Sequence, residues 1–258
     1  MINYNMLLMS DLHCGSPVGL TPPEWEVTRH PKNKKEAKLK KIRRQCWNYL
    51  EDELKGIICP ILAITGDLVD GRDRRTEGID QLESDRGVQV EMAIDCIKII
   101  ASTIKAKKII LTYGTPYHVG ESELWEKYVA KDLNVKIGTH EWVKICDKII
   151  DLKHDIPRGF KALENEKIQN ILWADLGDQP KSDLIVRGHT HKFKLVKDAH
   201  GIAMSLPALQ AMGSRYGSLK CREHVDYGFV GIKIERGRII CEEHLIPIKA
   251  QRAKIMEL

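Results

Sequence analysis

Apolar and polar positions alternate along this chain in the two periods that helices and strands produce. Apolar residues three and four positions apart predict helices, at 35–55, 88–104, 121–133 and 161–175. Short apolar runs predict strands, at 5–10, 57–65, 108–113, 142–152, 183–187, 192–197 and 203–206, and a hairpin of 227–235 and 238–247 that turns at Arg236-Gly237. Strands alternate with helices in the first half and cluster in the second. This order predicts an α/β domain in which two packed sheets are flanked by helices.

Two segments interrupt this pattern. Segment 16–33 contains several prolines, and segment 71–87 is rich in charged residues. We predict both to be exposed loops that contact the substrate, because loops on a rigid scaffold often carry binding residues. The sequence has no internal repeat and no linker, so we predict one domain over residues 1–258.

Composition excludes few classes of protein. A hydrophobic content of 43% with 30% charged residues is ordinary for a globular protein. The net charge of +5, from 41 basic and 36 acidic residues, suits a polyanionic substrate and equally suits an ordinary basic surface. No basic stripe lies on a DNA-binding motif, which argues against a DNA-binding regulator.

Cysteine usage and the N-terminal segment bear on the cellular location. The seven cysteines form no CxxC pair, and their odd number favours free thiols in a reducing compartment. The first ten residues lack the pattern of a signal peptide, and the longest apolar stretch, 57–64, is too short to span a bilayer. We therefore expect a cytoplasmic protein that does not associate with membranes.

Side chains that bind metals follow several of the predicted strands. They are Asp11 and His13, Asp67 and Asp70, Thr115 and His118, His154, and His189 and His191. Strand ends of an α/β sheet are the usual place for a ligand site. A single histidine at a strand end is a weak signal, because it more often has a structural role. The repeated delivery of carboxylates and imidazoles to strand ends predicts a site.

The mixture of carboxylate and imidazole groups suits divalent manganese, iron, zinc, nickel or cobalt. The absence of cysteine from these clusters argues against a structural zinc site. Two cations ~3.5–4 Å apart can clamp a phosphoryl group and generate a bridging hydroxide as nucleophile. Residues i and i+2 of an extended segment share a face, which makes Asp11 with His13, and His189 with His191, useful spacings.

The motifs D-x-H, G-D-x-x-D and G-H-T-H, in this order, resemble the signature of the calcineurin-like metallophosphoesterases over roughly residues 5–245. The resemblance implies a four-layer sandwich of two mixed β-sheets flanked by helices, and two divalent cations with manganese as the first choice. It also implies a ligand set, in which Asp11, His13 and His191 hold the first metal, His154 and His189 hold the second, and Asp67 bridges them.

The third cluster departs from the family's Gly-Asn-His. It reads Gly114-Thr115-Pro116-Tyr117-His118, a G-T-x-x-H form similar to that of phage-type members. Alignment on the glycine puts Thr115 in the place of the asparagine that binds the second metal, and alignment on the histidine puts Tyr117 there. The resemblance implies that His118 protonates the leaving group and that Asp70 orients it through a hydrogen bond. A metal-ligand role for His118 is the alternative.

The function that follows is hydrolysis of a phosphate ester by a dinuclear metal centre with a metal-bridging hydroxide. The enzyme would be a phosphodiesterase or phosphatase, and we favour a nucleotide or nucleic acid as the substrate. The alternative function is a non-catalytic protein-interaction scaffold that keeps the same fold. The filled ligand positions argue against this alternative, since buried carboxylates without a metal would repel one another. The oligomeric state is left open.

Overall fold

The computed structural model describes residues 1–27, 30–72, 78, 81–120, 125–157, 159, 161–212 and 225–247. The helices within these ranges are α1 (Glu24–Val27), α2 (Lys34–Leu54), α3 (Arg86–Thr103), α4 (Pro116–Val119), α5 (Trp125–Asp132) and α6 (Ala162–Leu176). The strands are β1 (Ile2–Asn3), β2 (Met6–Ser10), β3 (Ile57–Ile58), β4 (Ile61–Thr65), β5 (Lys108–Thr112), β6 (Ile137–Gly138), β7 (His140–Ile145), β8 (Lys148–Lys153), β9 (Leu184–Arg187), β10 (Lys194–Asp198), β11 (Gly201–Ser205), β12 (Tyr227–Glu235) and β13 (Arg238–Ile246). No helix in these ranges is both long and apolar enough to cross a membrane.

Most strands belong to two mixed sheets. The six-stranded sheet has the order β13-β12-β2-β4-β5-β6, in which β2, β4, β5 and β6 are parallel and β12 is antiparallel to both of its neighbours, β2 and β13. The five-stranded sheet has the order β10-β11-β9-β8-β7, with a parallel centre of β11, β9 and β8. A short pair, β1 and β3, forms a separate ladder.

Side chains that alternate between the two faces of each strand produce the layers of the fold. In β2, Leu7 and Met9 pack into the core under α2 and α3, whereas Met6 and Leu8 pack into the core between the two sheets. In β9, Leu184 and Val186 face the other sheet, and Ile185 faces α6. Successive strand residues point to opposite faces, so each central strand contributes to two cores. The resulting order is helices, sheet, sheet, helix, which confirms the predicted sandwich of two mixed sheets flanked by helices.

Three sequence-based predictions of local structure are wrong. Segment 142–152 is a hairpin of β7 and β8, because the chain reverses at Cys146 with a φ of 54° inside an otherwise apolar run. The strand predicted at 57–65 is interrupted at Cys59-Pro60, since proline cannot donate to the ladder. The loop predicted at 16–33 is buried from Ser16 to Thr21, and part of segment 71–87 lies outside the described residues.

Helix α6 supports the strand that leads to the last histidine pair. Beyond Ala162 and Leu163, which pack with Ile185, its inward face is polar: the Glu166 carboxylate accepts hydrogen bonds from Arg187 Nε and Nη2, at 2.8 and 2.5 Å. Arg187 Nη1 also donates to Asp151 of β8 at 2.5 Å. Apolar side chains on α6 are exposed instead, namely Ile168, Leu172, Trp173 and Leu176. Buried ion pairs therefore fix the end of β9, one residue before Gly188.

Candidate metal site

The predicted site residues lie at the carboxyl ends of parallel strands from both sheets. Asp11 and His13 follow β2, Asp67 and Asp70 follow β4, Thr115 and His118 follow β5, His154 follows β8, and His189 and His191 follow β9. The structure brings all of them together at one edge of the sandwich. The ligand atoms of the acids and histidines fall into three groups, each within 4.8 Å: Asp11, His13 and His191; Asp67, His154 and His189; and His13, Asp70 and His118.

The first group centres on one oxygen of Asp11. Asp11 Oδ1 lies 3.1 Å from His191 Nε2 and 3.7 Å from His13 Nε2, and the two nitrogens are 3.3 Å apart. The other oxygen, Oδ2, accepts hydrogen bonds from the Ser10 hydroxyl at 2.5 Å and from the His189 amide at 3.1 Å. These bonds direct Oδ1 towards the imidazoles. One carboxylate oxygen and two imidazole nitrogens thus converge on one point.

Asp67 lies between the two groups. Its Oδ2 is 3.1 Å from His154 Nε2 and 3.9 Å from His13 Nε2, a ligand atom of the first group. Its Oδ1 accepts hydrogen bonds from the Thr115 amide at 2.7 Å and the Thr115 hydroxyl at 3.2 Å. The ring of His189 stands edge-on to that of His154 at 5.4 Å. Asp67 can therefore share one oxygen between two cations while Thr115 holds the other.

The residues present fit a pair of divalent cations. Asp11 Oδ1 and His154 Nε2 are fully buried and 4.0 Å apart. Neither makes a hydrogen bond in the described part of the chain, although each faces another candidate ligand atom at 3.1 Å. Buried polar atoms normally have partners, so such atoms need an explanation. The Nδ1 of His154 donates to the Thr65 carbonyl at 2.6 Å, which leaves Nε2 to act as a ligand. A backbone carbonyl behind an imidazole is the usual support of a metal-binding histidine.

Backbone conformation also marks the site. Positive φ angles occur at Asp11 (56°), His13 (45°), Asp67 (50°), His189 (67°) and His191 (56°). Non-glycine residues rarely adopt this region, and strained backbone of this kind clusters at functional sites. The strain is a consequence of turning several ligands inward immediately after a strand.

Glycines before the ligands allow the turns to touch. A Cβ on Gly114 would overlap the backbone nitrogen and Oδ1 of Asp67. A Cβ on Gly66 would lie 2.6 Å from the ring of His154. Only glycine permits such close approach, so these positions bring the β4, β5 and β8 ends within ligand distance of one another.

His118 and Asp70 are in contact through the main chain. His118 Nδ1 donates to the backbone carbonyl of Asp70 at 2.7 Å, and Nε2 lies 3.9 Å from Asp67 Oδ2. The Asp70 carboxylate faces elsewhere: Oδ1 is 3.5 Å from His13 Nδ1, and Oδ2 accepts a hydrogen bond from Gln81 at 2.7 Å. Asp70 therefore orients His118 with its carbonyl, while its carboxylate supports His13.

The charges of the site are mutually compensating. Burial alone would raise the pKa of Asp11, but His191 and His154 hold it well below its usual range. Against burial, the neighbouring carboxylates of Asp11 and Asp70 raise the pKa of His13 to about 10, and those of Asp67 and Asp11 raise the pKa of His154 to about 10. Without cations these imidazoles carry protons, and cation binding must displace them.

Sequence reasoning missed Glu126. This residue of α5 is completely buried, and its two oxygens accept hydrogen bonds from the amides of Leu68 at 2.6 Å and Gly114 at 2.7 Å. Burial, with the nearby charge of Asp67, raises the pKa of Glu126 to about 7. A signal was available, because Glu126 lies on the same helical face as the apolar positions 129, 130 and 133.

Comparison with known proteins gives structural likeness only. No family model and no curated protein matches the sequence. Vps29 of Chaetomium thermophilum is similar in structure, with a TM-score of 0.48 and 11% identity over 95% of this chain and 97% of that one. Vps29 of Entamoeba histolytica complexed with zinc has a TM-score of 0.45 and 14% identity over 93% and 98%. A novel archaeal phosphodiesterase has a TM-score of 0.42 and 13% identity over 93% and 99%. At these scores and identities the likeness assigns neither an activity nor a ligand to this chain.

Proposed function

We propose that this protein is a divalent-metal-dependent phosphoesterase and a divergent member of the calcineurin-like metallophosphoesterases. Asp11, His13 and His191 would hold one cation, His154 and His189 the other, and Asp67 would bridge them. The observation that carries the proposal is the position of the buried His154 Nε2, which lies 4.0 Å from Asp11 Oδ1 and 3.1 Å from Asp67 Oδ2 and makes no hydrogen bond among the described residues.

Two bound cations supply Lewis-acid stabilisation of a phosphoryl group and a water of lowered pKa as nucleophile. We propose manganese first, with iron, zinc, nickel and cobalt as alternatives. Thr115, whose hydroxyl lies beside Asp67, would complete the second site or hold Asp67 in place.

The chain's own contribution to the reaction would be proton transfer and orientation. His118 Nδ1 donates to a carbonyl, which can only accept, so the neutral ring keeps its proton on Nδ1, and Nε2 carries a proton only in the imidazolium form. That nitrogen faces the site and would give its proton to the departing alkoxide oxygen. The Asp70 carbonyl keeps the ring in this orientation, and its carboxylate keeps His13 directed at the first cation.

We propose a nucleotide or nucleic-acid phosphoester as substrate and the cytoplasm as location. The net charge of +5 is compatible with a polyanionic substrate. The six described cysteines, Cys14, Cys46, Cys59, Cys96, Cys146 and Cys241, are free thiols, as a reducing compartment requires.

The test is a substrate panel after chelation and metal add-back. It would include an aryl diester, an aryl monoester, cyclic nucleotides, and single- and double-stranded oligonucleotides. We expect hydrolysis only with added cation, none by Asp67→Asn, and wild-type rates by His200→Asn, which changes an exposed histidine outside the site. No turnover of any substrate by a cation-loaded protein would favour the alternative, a non-catalytic interaction scaffold.

A further inference from the structure

Glu126 is a buried acid outside every motif of this sequence. It lies on α5, whose neighbouring residues Val129 and Ala130 are buried in the core under the six-stranded sheet. A hydrophobic residue of similar size would avoid the cost of desolvating a carboxylate. The acid is instead held by two short hydrogen bonds, one from Leu68 and one from Gly114. Each oxygen therefore has its own amide donor.

Both amides belong to turns that carry candidate ligands. Leu68 follows Asp67 directly, and Gly114 precedes Thr115 directly. The same two turns are joined a second time, where Asp67 Oδ1 accepts the amide of Thr115 at 2.7 Å. The result is a closed ring of contacts, in which α5 holds the β4 turn against the β5 turn. Asp67, whose Oδ2 lies 3.1 Å from His154 Nε2, is a member of that ring.

We infer that Glu126 is a positioning residue of the candidate metal site, which fixes the bridging Asp67 by tying the Leu68 and Gly114 amides together. The inference rests on the proposed function, because it assigns Glu126 a role in cation binding at that site. Two acceptor oxygens are required, since two N–H groups donate. A glutamine has one oxygen, and its NH₂ group would face one of the two donors.

The experiment compares Glu126→Gln with the wild-type full-length protein, using manganese(II) as the probe. Calorimetry of the chelated protein should show binding at the Asp67, His154 and His189 group weakened about 10–100-fold, the usual effect of removing a group that orients a ligand. In the metal-free protein, the amide resonances of Leu68 or Gly114 should shift, because one of them loses a carboxylate acceptor. Glu126→Asp, one methylene shorter with both oxygens retained, should give an intermediate affinity and replaces the glutamine variant if that does not fold.

The matched control is Asp95→Asn. Asp95 is also an acid that accepts a hydrogen bond, from Trp25 Nε1 at 2.9 Å, but it lies on α3 outside the site. We expect its manganese affinity to be that of the wild type. Wild-type affinity in Glu126→Gln, or an equal loss in Asp95→Asn, would overturn the inference. If the wild type binds manganese but hydrolyses nothing on the panel, the proposed function fails alone, and the affinity comparison still decides the role of Glu126.

Discussion

At the scale of single residues, His118 has two roles open to it, and the kinetics of one variant separate them. If His118 gives its Nε2 proton to the leaving group, its contribution to the rate of hydrolysis depends on the basicity of that group. We expect His118→Asn to slow an alkyl phosphoester by about 10²–10⁴-fold, and a nitrophenyl ester far less, with bound metal unchanged. Rates on both esters and metal content are measured on one preparation. Equal losses with missing metal would make His118 a ligand.

Asp70 provides the complementary prediction. Its carboxylate faces His13 Nδ1 and Gln81 Nε2, and only its carbonyl contacts His118. Removing the negative charge behind a metal-binding histidine typically costs about 10–100-fold in metal affinity. We therefore expect Asp70→Asn to weaken manganese binding by that factor and to slow alkyl and nitrophenyl esters equally at saturating metal.

The control for this prediction is Asp95→Asn, which alters a carboxylate that accepts from Trp25 outside the site. It should leave metal affinity unchanged. A selective loss on the alkyl ester in Asp70→Asn, matching His118→Asn, would show that the carboxylate acts through His118 instead.

The candidate ligands could be found from sequence because each lies at a fixed spacing after a strand. Their support could not be found in this way, because it is made by contacts distant in sequence. The His189 amide binds Asp11 across the two sheets, and Glu126 reaches turns 58 and 12 residues away. The positive φ angles at Asp11 and Asp67 could not be predicted from the sequence either, because aspartate does not require that conformation.

At the scale of elements, an ion pair holds the buried segment 16–21, which follows Asp11 and His13. Arg43 of α2 binds the carboxylate of Glu26 in α1 and donates to the Pro17 carbonyl at 2.7 Å. Both charged side chains are nearly inaccessible, with 6% and 5% exposed. Removing Arg43 leaves the buried Glu26 carboxylate to the more distant Lys40 Nζ, at 3.7 Å, and breaking a buried ion pair costs about 3–5 kcal/mol. We expect Arg43→Met to lower the free energy of unfolding by that amount in a urea titration.

Arg44→Met is the matched control, because Arg44 is the next residue of the same helix and is exposed. Its effect should stay within about 0.5 kcal/mol. If both variants lose the same free energy, the loss reflects helix α2 itself and the ion pair has no special role.

The helices and strands were predicted correctly where the spacing of apolar residues followed a single period. The prediction failed where a turn lacked the residues that usually mark one. Helices α2, α3 and α6 match the predicted segments closely, and the hairpin β12–β13 turns at Arg236-Gly237 as predicted. The β7–β8 turn was missed because Cys146 is neither glycine nor asparagine. The proline-rich segment 16–33 was predicted to be exposed, but its first residues are buried. Arg43, a charged residue for which the sequence pattern predicts exposure to solvent, donates a hydrogen bond to the Pro17 carbonyl in this segment.

At the scale of the whole molecule, two hydrophobic cores position the strands that carry the candidate ligands. The core between the sheets places β2, β4, β8 and β9, and the core under α2 and α3 places the outer face of the larger sheet. Packing in these cores fixes the carboxyl ends of the strands, and hence the positions of the candidate ligands. In the absence of cations, protonated His13 and His154 offset the charges of Asp11 and Asp67, which lie within 4 Å of them.

We therefore expect chelation to abolish turnover while the far-UV circular dichroism spectrum and cooperative thermal unfolding persist. Adding manganese back at about 100 times its Kd should stabilise the folded state by about 2.7 kcal/mol per site, through mass action alone. Asp67→Asn, which removes the shared ligand, should keep the spectrum of the wild type and lose most of this stabilisation. The contrary result would be loss of the circular dichroism signal on chelation, as in a zinc finger, where the metal supplies the folding free energy. It would mean that the cations, and not the packed sheets, bring the strand ends together.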